Sequence, residues 1–569
     1  MPQDAITLAK TAKLLNIYLQ GAKINKINHP SQDEIILTLY CKSGTHKLHV
    51  CVNAVGARVG LTELEKKNPP IPSGFCMLLR KHLQNAILKS IETFKGERII
   101  KITFEGKNDF LETVEKELYC EIMGKYSNAI FCEENIILGT MKTSSLELGK
   151  ERALLTGAKY SLPKSQNKVD IYEKETSISA LEAFSSGDLS EYVFNNFQGF
   201  SLPTAKELVF RFYGQYLFDM PIIKIHKFYD FIIDFIENYN DKPNVVISCD
   251  KLVDFYFYDY ETVKGEKKYF NDLLQAESYY FDTKQTIREF SERKNKLIST
   301  VNSKLKKEEK KLQIIAEKEL SALNAEDERR KGELITANIY RIKRGDKFVI
   351  VEDYYNDNTP LKITLDEHLS ATANAQKYFK KYNKLKNTLK AITPQKEQCE
   401  KECNYLKSVL AELNISNSIK DLQEIEEELI QAGLIKSENK SKQSKKEDKI
   451  NYRVFEYGNY RIIAGKNNIQ NDKLTFSAHP SDIWLHTKDY HSAHVIIQSA
   501  SSHVPNDVLQ LAAEICAYYS EAKNGDKVPV DYTQKKYVKK PPKAKYGAVI
   551  YTDFKTVYVT PISHSNLEI

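Results

Sequence analysis

Residues 382–413, YNKLKNTLKAITPQKEQCEKECNYLKSVLAEL, carry apolar side chains that are mostly three, four or seven positions apart. An upstream segment, residues 287–323, repeats this spacing. Such spacing places the apolar side chains on one stripe of a helix, and two helices of this kind bury their stripes against each other. The sequence therefore predicts a long antiparallel coiled coil within residues 283–436. Its seam is formed by Ile287, Phe290, Leu297, Val301, Leu305, Leu312, Ile315, Leu320, Leu323, Tyr382, Leu385, Leu389, Ile392, Cys399, Cys403, Leu406, Leu410 and Leu413.

Three local features of the predicted coiled coil need a separate interpretation, namely a proline, two cysteines and the segment between the helices. Pro394 lacks a backbone N–H and clashes with the preceding turn, so it predicts a kink or a break in the second helix. Cys399 and Cys403 follow the apolar stripe and are interpreted as seam residues rather than as metal ligands. Between the helices, residues 345–365 (GDKFVIVEDYYNDNTPLKITL) have the composition of strands and predict a small β-containing tip.

Residues 1–175 alternate helix-like and strand-like stretches and predict a mixed α/β domain. KINKI (23–27) and EIILTLY (34–40) are expected to be two strands separated by a polar turn that contains Pro30. FCMLLRKHLQNAIL (75–88) has helical spacing that includes Ile87, and this helix places Arg80 and Lys81 close together as candidate RNA-binding residues.

Residues 176–282 show short helical patterns and predict a helical domain. The turn at Gly199, Phe200 and Ser201 resembles a helix-hairpin-helix element, in which a turn of small residues brings backbone N–H groups to a phosphate backbone. Ser201 stands where the usual pattern has a second glycine. An ordinary helix corner remains the alternative.

Residues 437–449 (SENKSKQSKKEDK) contain no apolar side chain and predict a linker. Residues 450–569 follow as an α/β domain, with a helix near residues 507–523. In DIWLHTK (482–488), Asp482, Trp484 and His486 alternate and share one face of a strand. This face is interpreted as structure or an RNA-stacking surface rather than a metal site, because no further ligand follows at a fixed short spacing.

The segment TQKKYVKKPPKAKYG (533–547) interleaves lysines with tyrosines and prolines. Ammonium groups contact phosphates and aromatic rings stack on bases, so this pattern favours RNA contact over a solvated loop. The candidate residues are Lys535, Lys536, Tyr537, Lys539 and Lys540.

Composition limits the class of protein. The 569 residues carry a formal charge of +7, and they exceed what one hydrophobic core organises, so a multidomain α+β chain is expected. The nine cysteines form no zinc-like spacing, and no stretch of about 18 apolar residues occurs. We therefore expect a cytoplasmic protein with no membrane association and no bound metal or other cofactor.

Several longer motifs occur together and in order along the chain. They are NPPIPSGFCMLLRKHL (68–83), EIMGKYSN (121–128), GELITANIY (332–340), NAQKYFKKYNKLK (374–386), GKNNIQNDKLT (465–475), DIWLHTK (482–488) and DYTQKKYVKKP (531–541). In these motifs the chain resembles the RqcH/NEMF (NFACT) family, and its bacterial RqcH members in particular. The resemblance implies an N-terminal domain similar to that of formamidopyrimidine DNA glycosylases and a C-terminal NFACT-R RNA-binding domain. Gln3 replaces the glutamate that such glycosylases place beside a terminal proline, which argues against glycosylase activity.

The resemblance also implies a function. Such a factor recognises a 50S subunit that is obstructed by peptidyl-tRNA and its nascent chain, recruits tRNA-Ala and supports template-free addition of alanines that mark the chain for degradation. The ribosome makes the peptide bond, so no catalytic residue and no enzymatic activity are expected here. An RqcP-like small RNA-binding protein is the expected auxiliary partner.

Two family motifs can be carried over to this sequence. The Asp-Arg pair associated with tailing corresponds to Glu97 and Arg98, and the Glu-Ile-Met motif stands intact as Glu121, Ile122 and Met123. Glu97 keeps the carboxylate of the family aspartate but adds a methylene, and this departure concerns tailing rather than ribosome binding. Two alternatives remain, a ribosome or RNA-binding adaptor without tailing and a fibronectin-binding surface adhesin.

Overall fold

A computed structural model of the chain describes residues 3–107, 112–142, 152, 154–164, 167–215, 224–249, 251–436, 452–499, 504–542 and 544–569. It divides into two compact units, Met1–Arg288 and Glu289–Ile569. The predicted linker at 437–449 and the second residue, Pro2, lie outside the described residues. The boundaries between the five segments inferred from the sequence stay predictions.

A nine-stranded antiparallel sheet with two helices forms the N-terminal part of the first unit. The buried apolar side chains of both helices, such as Leu15 and Leu79, join those of the strands in one core. The strand order is β4-β3-β2-β1-β5-β6-β7-β8-β9. The elements are α1 (Ala5–Leu19), β1 (Lys23–Ser31), β2 (Glu34–Cys41), β3 (Gly44–Cys51), β4 (Arg58–Leu61), α2 (Gly74–Leu83), β5 (Ile87–Thr93), β6 (Ile99–Lys107), β7 (Thr113–Glu121), β8 (Asn128–Glu133) and β9 (Ile136–Thr140).

The mixed α/β character is confirmed here, with two local corrections. Pro30 lies inside β1 rather than in the turn, at a register shift between Asn28 and Ser31. A bulge is one of the few strand positions that tolerates a residue without an N–H. Ile87 begins β5 and is 44% exposed, so it does not continue the apolar stripe of α2.

The remainder of the first unit was predicted to be helical, but it also contains a three-stranded sheet. Its strands bury Val245, Val246 and Phe255 in an aromatic-rich core. Runs this short resemble buried helical segments, which explains why the sequence reading missed them. The elements are α3 (Lys174–Glu182), α4 (Leu189–Asn196), α5 (Leu202–Tyr213), α6 (Ile225–Asn238), β10 (Asn244–Ser248), β11 (Lys251–Tyr256), β12 (Glu266–Tyr269) and α7 (Leu273–Leu323), whose later part belongs to the second unit.

The second unit contains α8 (Ala325–Ala337), β13 (Phe348–Asp353), β14 (Thr359–Thr364), α9 (Ala371–Ile415) and α10 (Ile419–Gln431). α7 and α9 run antiparallel, because Lys294 Nζ donates to the Asn414 carbonyl at 2.9 Å while Glu308 lies 3.5 Å from the Cys399 sulfur. The strands expected between the helices are present as the hairpin β13–β14, and its position at the tip of a coiled coil stays a prediction. Supercoiling of the helix pair stays a prediction.

Pro394 does not break α9, which continues through it. A proline inside a helix costs about 3 kcal/mol, because one hydrogen bond is lost and the ring clashes. The burial of seam residues on both sides of Pro394, Ile392 and Cys403, offsets this cost. Cys403 belongs to the apolar cluster between α7, α9 and α10, as the seam interpretation requires.

The chain ends in a six-stranded antiparallel sheet of order β15-β16-β18-β17-β19-β22. Its core is covered by α12, which ends at Tyr518 rather than near residue 523. No helix in the described part of the chain is long and apolar enough to cross a membrane. The elements are β15 (Arg453–Tyr457), β16 (Tyr460–Ala464), α11 (Asn468–Ser477), β17 (Ile483–Thr487), β18 (Val495–Gln498), α12 (Asn506–Tyr518), β19 (Val528–Gln534), β20 (Val538–Lys539), β21 (Ile550–Tyr551) and β22 (Lys555–Val559).

Candidate functional site

The two motifs carried over from the family meet where the neighbouring strands β6 and β7 of the nine-stranded sheet begin and end. Arg98 immediately precedes β6, and Glu121 is the last residue of β7, opposite Ile99 in the register. The Ile122 backbone N–H donates to the Arg98 carbonyl at 2.8 Å. Residues that lie more than twenty positions apart in sequence are thus held as one structural element.

The buried carboxylate of Glu121 is hydrogen-bonded within the protein. Its carboxylate accepts hydrogen bonds from Arg152 at 2.6 and 3.1 Å and from the Tyr160 hydroxyl at 3.0 Å. Ile122 is also buried, and Met123 packs against a small cluster that contains Tyr160. These contacts are those of a positioning motif, since a buried carboxylate with three donors does not reach an external ligand. The tRNA-binding role of the motif stays a prediction.

Arg98 lies in a mixed electrostatic environment. Its guanidinium is half-buried, with the carboxylates of Asp4 and Glu97 as its attractive neighbours. Burial raises the pKa of Glu97, and Arg98 opposes that rise. Burial and repulsion by Arg98 lower the pKa of Lys168. Arg98 and Lys168 are therefore two cations close enough to repel each other, with the carboxylates of Asp4 and Glu97 beside Arg98.

Asp4 was not found by sequence reasoning, yet it organises this region. One carboxylate oxygen caps α1 by accepting from the Thr7 N–H at 2.8 Å. The other accepts from the Ser201 N–H and hydroxyl at 3.2 and 2.9 Å and from the Thr204 hydroxyl at 2.6 Å. A short Asp before an apolar helix signals an N-cap in sequence, but its second set of partners comes from a segment about 200 residues away.

The turn at residues 199–201 faces inward. The Gly199 carbonyl accepts from the Ala5 N–H at 3.1 Å, and the Ser201 N–H is bound by Asp4. Gly199 has φ +89° and approaches Gly96, so a side chain there would be strained. The phosphate-reading interpretation of this turn is wrong for Ser201, because its N–H is already bonded within the protein and its hydroxyl caps α5.

The two candidate RNA-binding residues on α2 differ. Arg80 donates from Nε and Nη2 to the Ile27 carbonyl at 3.0 and 2.8 Å, so its guanidinium fastens α2 to β1. Lys81 is exposed on the same helix. Helical spacing correctly placed the two side chains near each other, but it could not reveal the backbone carbonyl that Arg80 binds.

Trp484 and His486 lie on the same face of β17, as predicted, but this face is buried. The two rings lie parallel with centroids 5.7 Å apart, and His494 packs edge-on against the indole at 5.3 Å. Trp484 is 0% exposed, so its proposed stacking on RNA is wrong. Burial lowers the pKa of His486 to about 4, so this largely buried ring is neutral near pH 7.

The lysine segment divides into two groups. Lys540 forms an ion pair with Asp472, and Lys545 forms one with Glu402 at 2.5 Å. These lysines hold the loop to α11 and α9. Lys535, Lys536 and Tyr537 form a short 3₁₀ helix, with the Lys536 ammonium 4.8 Å from the Tyr537 ring centre, and Lys539 is exposed. The second group keeps the basic and aromatic character expected of an RNA contact.

One group of side chains in the described residues has ligand atoms close enough for a metal ion, namely Glu34, His49 and Cys51. Lys66 Nζ already lies 2.8 Å from the Glu34 carboxylate, and Arg58 Nε donates to His49 Nδ1 at 3.2 Å. A metal cation would meet two positive groups there, so this cluster is an internal ion-pair network.

Comparison with known proteins covers nearly the whole chain. Residues 4–448 match the family described as NFACT N-terminal and middle domains, and residues 449–553 match the NFACT protein RNA binding domain. The Rqc2 homolog RqcH of Bacillus subtilis (strain 168) is 33% identical over 557 residues, which cover 96% of each chain. The Rqc2 homolog RqcH of Streptococcus pneumoniae serotype 2 is 32% identical over 571 residues, 99% of this chain and 98% of its own.

One solved structure is also similar in sequence. The C-terminal part of the fibronectin/fibrinogen-binding protein from Streptococcus suis is 32% identical and covers 49% of this chain and 99% of its own, with a TM-score of 0.39.

Proposed function

This chain belongs to the NFACT family, and from that premise we propose that it is an RNA-binding factor of ribosome quality control. It binds 50S subunits obstructed by peptidyl-tRNA and its nascent chain. It recruits tRNA-Ala and directs template-free addition of alanines to that chain, with an RqcP-like small RNA-binding protein as its auxiliary partner. The ribosome forms each peptide bond, so the chain acts by positioning and is not itself an enzyme.

The similarity to two RqcH proteins over at least 96% of every chain involved carries this proposal. A match of this extent includes both the N-terminal region and the RNA-binding domain. The geometry around Arg98 supports it independently. The half-buried guanidinium lies close to a second cation, Lys168, and the buried Glu121 motif fixes the backbone that carries it.

Arg98 contributes position and charge to tRNA recruitment. A guanidinium presents a rigid fork of donors that matches the two oxygens of a phosphate. The hydrogen bond between Ile122 and the Arg98 carbonyl restrains the backbone from which that fork extends. Large-subunit binding is assigned to other surfaces, chiefly the exposed basic residues of the second unit, and is therefore expected to survive loss of Arg98.

The test is the Arg98→Ala variant, examined for C-terminal tails on a stalled reporter and for co-sedimentation with 50S subunits. Tails should be lost while 50S association is retained. Lys107→Ala is the matched control, because Lys107 is an exposed cation on the strand that Arg98 precedes. Retention of tails in Arg98→Ala would exclude the assigned role, and loss of tails in both variants would point to a general charge effect.

An adaptor that binds the ribosome without tailing is the second candidate. Glu97 favours it, because the family pair has the shorter aspartate at this position and burial raises the pKa of the glutamate. Sequencing of RNA that co-purifies with the tagged protein separates the two candidates. Enrichment of tRNA-Ala on 50S fractions supports tailing, 50S without a selected tRNA supports the adaptor, and absence of RNA contradicts both.

A further inference from the structure

The second unit contains a cavity of about 520 Å³ that neither family motif explains. One wall is α9, which contributes Lys401, Tyr405 and Glu412. The opposite wall is the C-terminal sheet domain, including Arg453, and the loop around Tyr546 closes one side. Pockets that bind small organic ligands commonly occupy 300–1,000 Å³, so its size suits a ligand as large as a nucleotide.

Two buried groups in the cavity wall have unfilled bonding capacity. Arg453 is 6% exposed, donates to the Gly465 carbonyl at 3.3 Å and lies 4.2 Å from the centre of the Tyr519 ring. Among the described residues it forms no ion pair. Glu412 Oε2 is buried and accepts or donates no hydrogen bond there. Buried polar groups are normally satisfied, so these two indicate a missing polar partner.

Apart from the Arg453 guanidinium, the interior of the cavity is largely neutral. Burial and the neighbouring Glu428 raise the pKa of Glu412 well above its ordinary value against the opposing charge of Arg453, which favours the neutral form of its carboxyl. Burial lowers the pKa values of His486, His491 and His494, so these rings are uncharged near pH 7. Neutral donors and acceptors beside aromatic rings suit a nucleobase, which is flat, uncharged and rich in polar edge atoms.

The rim of the cavity is basic. Lys401 is exposed on α9, and Lys466 and Lys545 also line the opening. Lys545 is paired with Glu402 and Lys466 lies 3.8 Å from Asp421, whereas Lys401 has no ion pair among the described residues. An exposed ammonium at the mouth of a neutral cavity is placed to meet a phosphate attached to a base inside it.

We propose that this cavity binds one nucleotide, with its base against the buried wall of Arg453, Tyr519 and Glu412 and its phosphate at Lys401. The nucleotide is either a free mononucleotide or an unpaired nucleotide of a bound RNA. The latter source rests on the proposed RNA-binding function, whereas the former does not. Arg453 then obtains a second acceptor in addition to the Gly465 carbonyl.

The experiment uses the full chain, freed of RNA, with adenosine monophosphate and a fluorescent five-nucleotide single-stranded RNA as probes. Affinities are measured by calorimetry and by anisotropy. Lys401→Glu should weaken binding of at least one probe about tenfold or more, since it replaces a charge-assisted contact with repulsion. Lys390→Glu is the matched control, an identical charge change at an exposed position of α9 away from the cavity.

A second rim variant, Gln398→Glu, keeps the test valid if Lys401→Glu fails to fold, because Gln398 is also exposed on α9 and lines the cavity. Weakened mononucleotide binding identifies a free ligand as the source, and weakening confined to the RNA identifies an RNA nucleotide. Equal affinities in wild type, the rim variants and Lys390→Glu, or no binding of either probe, would overturn the proposal.

Co-sedimentation with 50S subunits is measured on the same samples. Wild-type protein that binds 50S but neither probe disproves the cavity assignment alone. Wild-type protein that binds adenosine monophosphate but not 50S disproves the proposed function alone.

Discussion

Removal of the Glu121 carboxylate tests whether the Glu-Ile-Met motif is a structural support. In Glu121→Ala, Arg152 loses both of its hydrogen bonds to this carboxylate and the Tyr160 hydroxyl loses its acceptor. Breaking a buried ion pair by removing one partner costs about 3–5 kcal/mol. For a unit of this size, that loss corresponds to a melting temperature lower by about 10 °C.

The assay separates the two units by their signals. Trp484 is the single tryptophan of the chain and lies in the second unit, so its fluorescence follows that unit, while calorimetry follows both. The calorimetric transition of the first unit should move in Glu121→Ala, and the Trp484 transition should stay. Glu121→Gln keeps the shape and an acceptor, so a smaller loss of about 1–2 kcal/mol is expected.

Glu115→Ala provides the matched control on the same strand. Its carboxylate pairs with Lys89, but both side chains are more than half exposed, and such surface pairs contribute about 0–1 kcal/mol. A shift in Glu121→Ala no larger than that in Glu115→Ala would refute the buried-support reasoning. The motif would then have to act through a direct contact with a ligand.

Three further predictions concern the two units. Asp4→Ala should destabilise the first unit by about 2–4 kcal/mol in calorimetry, because it removes a helix cap and three other hydrogen bonds, and a loss below about 1 kcal/mol would contradict this. Burial raises the pKa of Glu277 from 4.5 to about 7. The folded state therefore keeps a proton there that the unfolded state releases, and stability from this group is present below pH 4.5 and lost as pH rises through about 7. The melting temperature of Glu277→Gln minus that of wild type should increase as pH rises from about 5 to about 8. Parallel curves of melting temperature against pH for the two proteins would exclude the effect. A variant with Lys535, Lys536 and Lys539 all replaced by Ala should bind single-stranded RNA with a weaker salt dependence. The slope of the logarithm of the association constant against the logarithm of the salt concentration should fall by about 2. An unchanged slope would show that these lysines do not contact the RNA.

Periodicity in the sequence predicted the elements whose pattern is set locally. Alternation located β1 and β2, and the spacing of Leu79 and Leu83 located α2. The seven-residue pattern located α7 and α9 and their antiparallel packing, because a long apolar stripe has few other ways to be buried. The same reasoning failed at β10–β12, where runs of four to six residues carry too few repeats to distinguish strand from helix.

The candidate sites depended on contacts that no local pattern encodes. Asp4 caps a helix visibly in sequence, but the Ser201 turn that it also binds is almost 200 residues away. Trp484 alternates with His486 as predicted, yet the side of the sheet that becomes buried is decided by packing against Leu474 and Val538. Alternation identifies two faces of a strand and does not say which one meets solvent.

Basic residues show most clearly that a local sequence pattern does not reveal a side chain's partners. These partners decide which basic residues can bind RNA. In sequence, Arg80 and the lysines from 535 to 545 are equivalent positive groups. In the structure, Arg80 binds a backbone carbonyl and Lys540 binds Asp472, so contacting a phosphate would require each to give up an existing partner. Releasing a partly buried partner costs about as much as a new phosphate contact contributes. Counterion release and RNA affinity should therefore come from the cations that the fold leaves exposed, such as Lys539, and the salt dependence of binding should count those residues rather than the basic residues of the sequence.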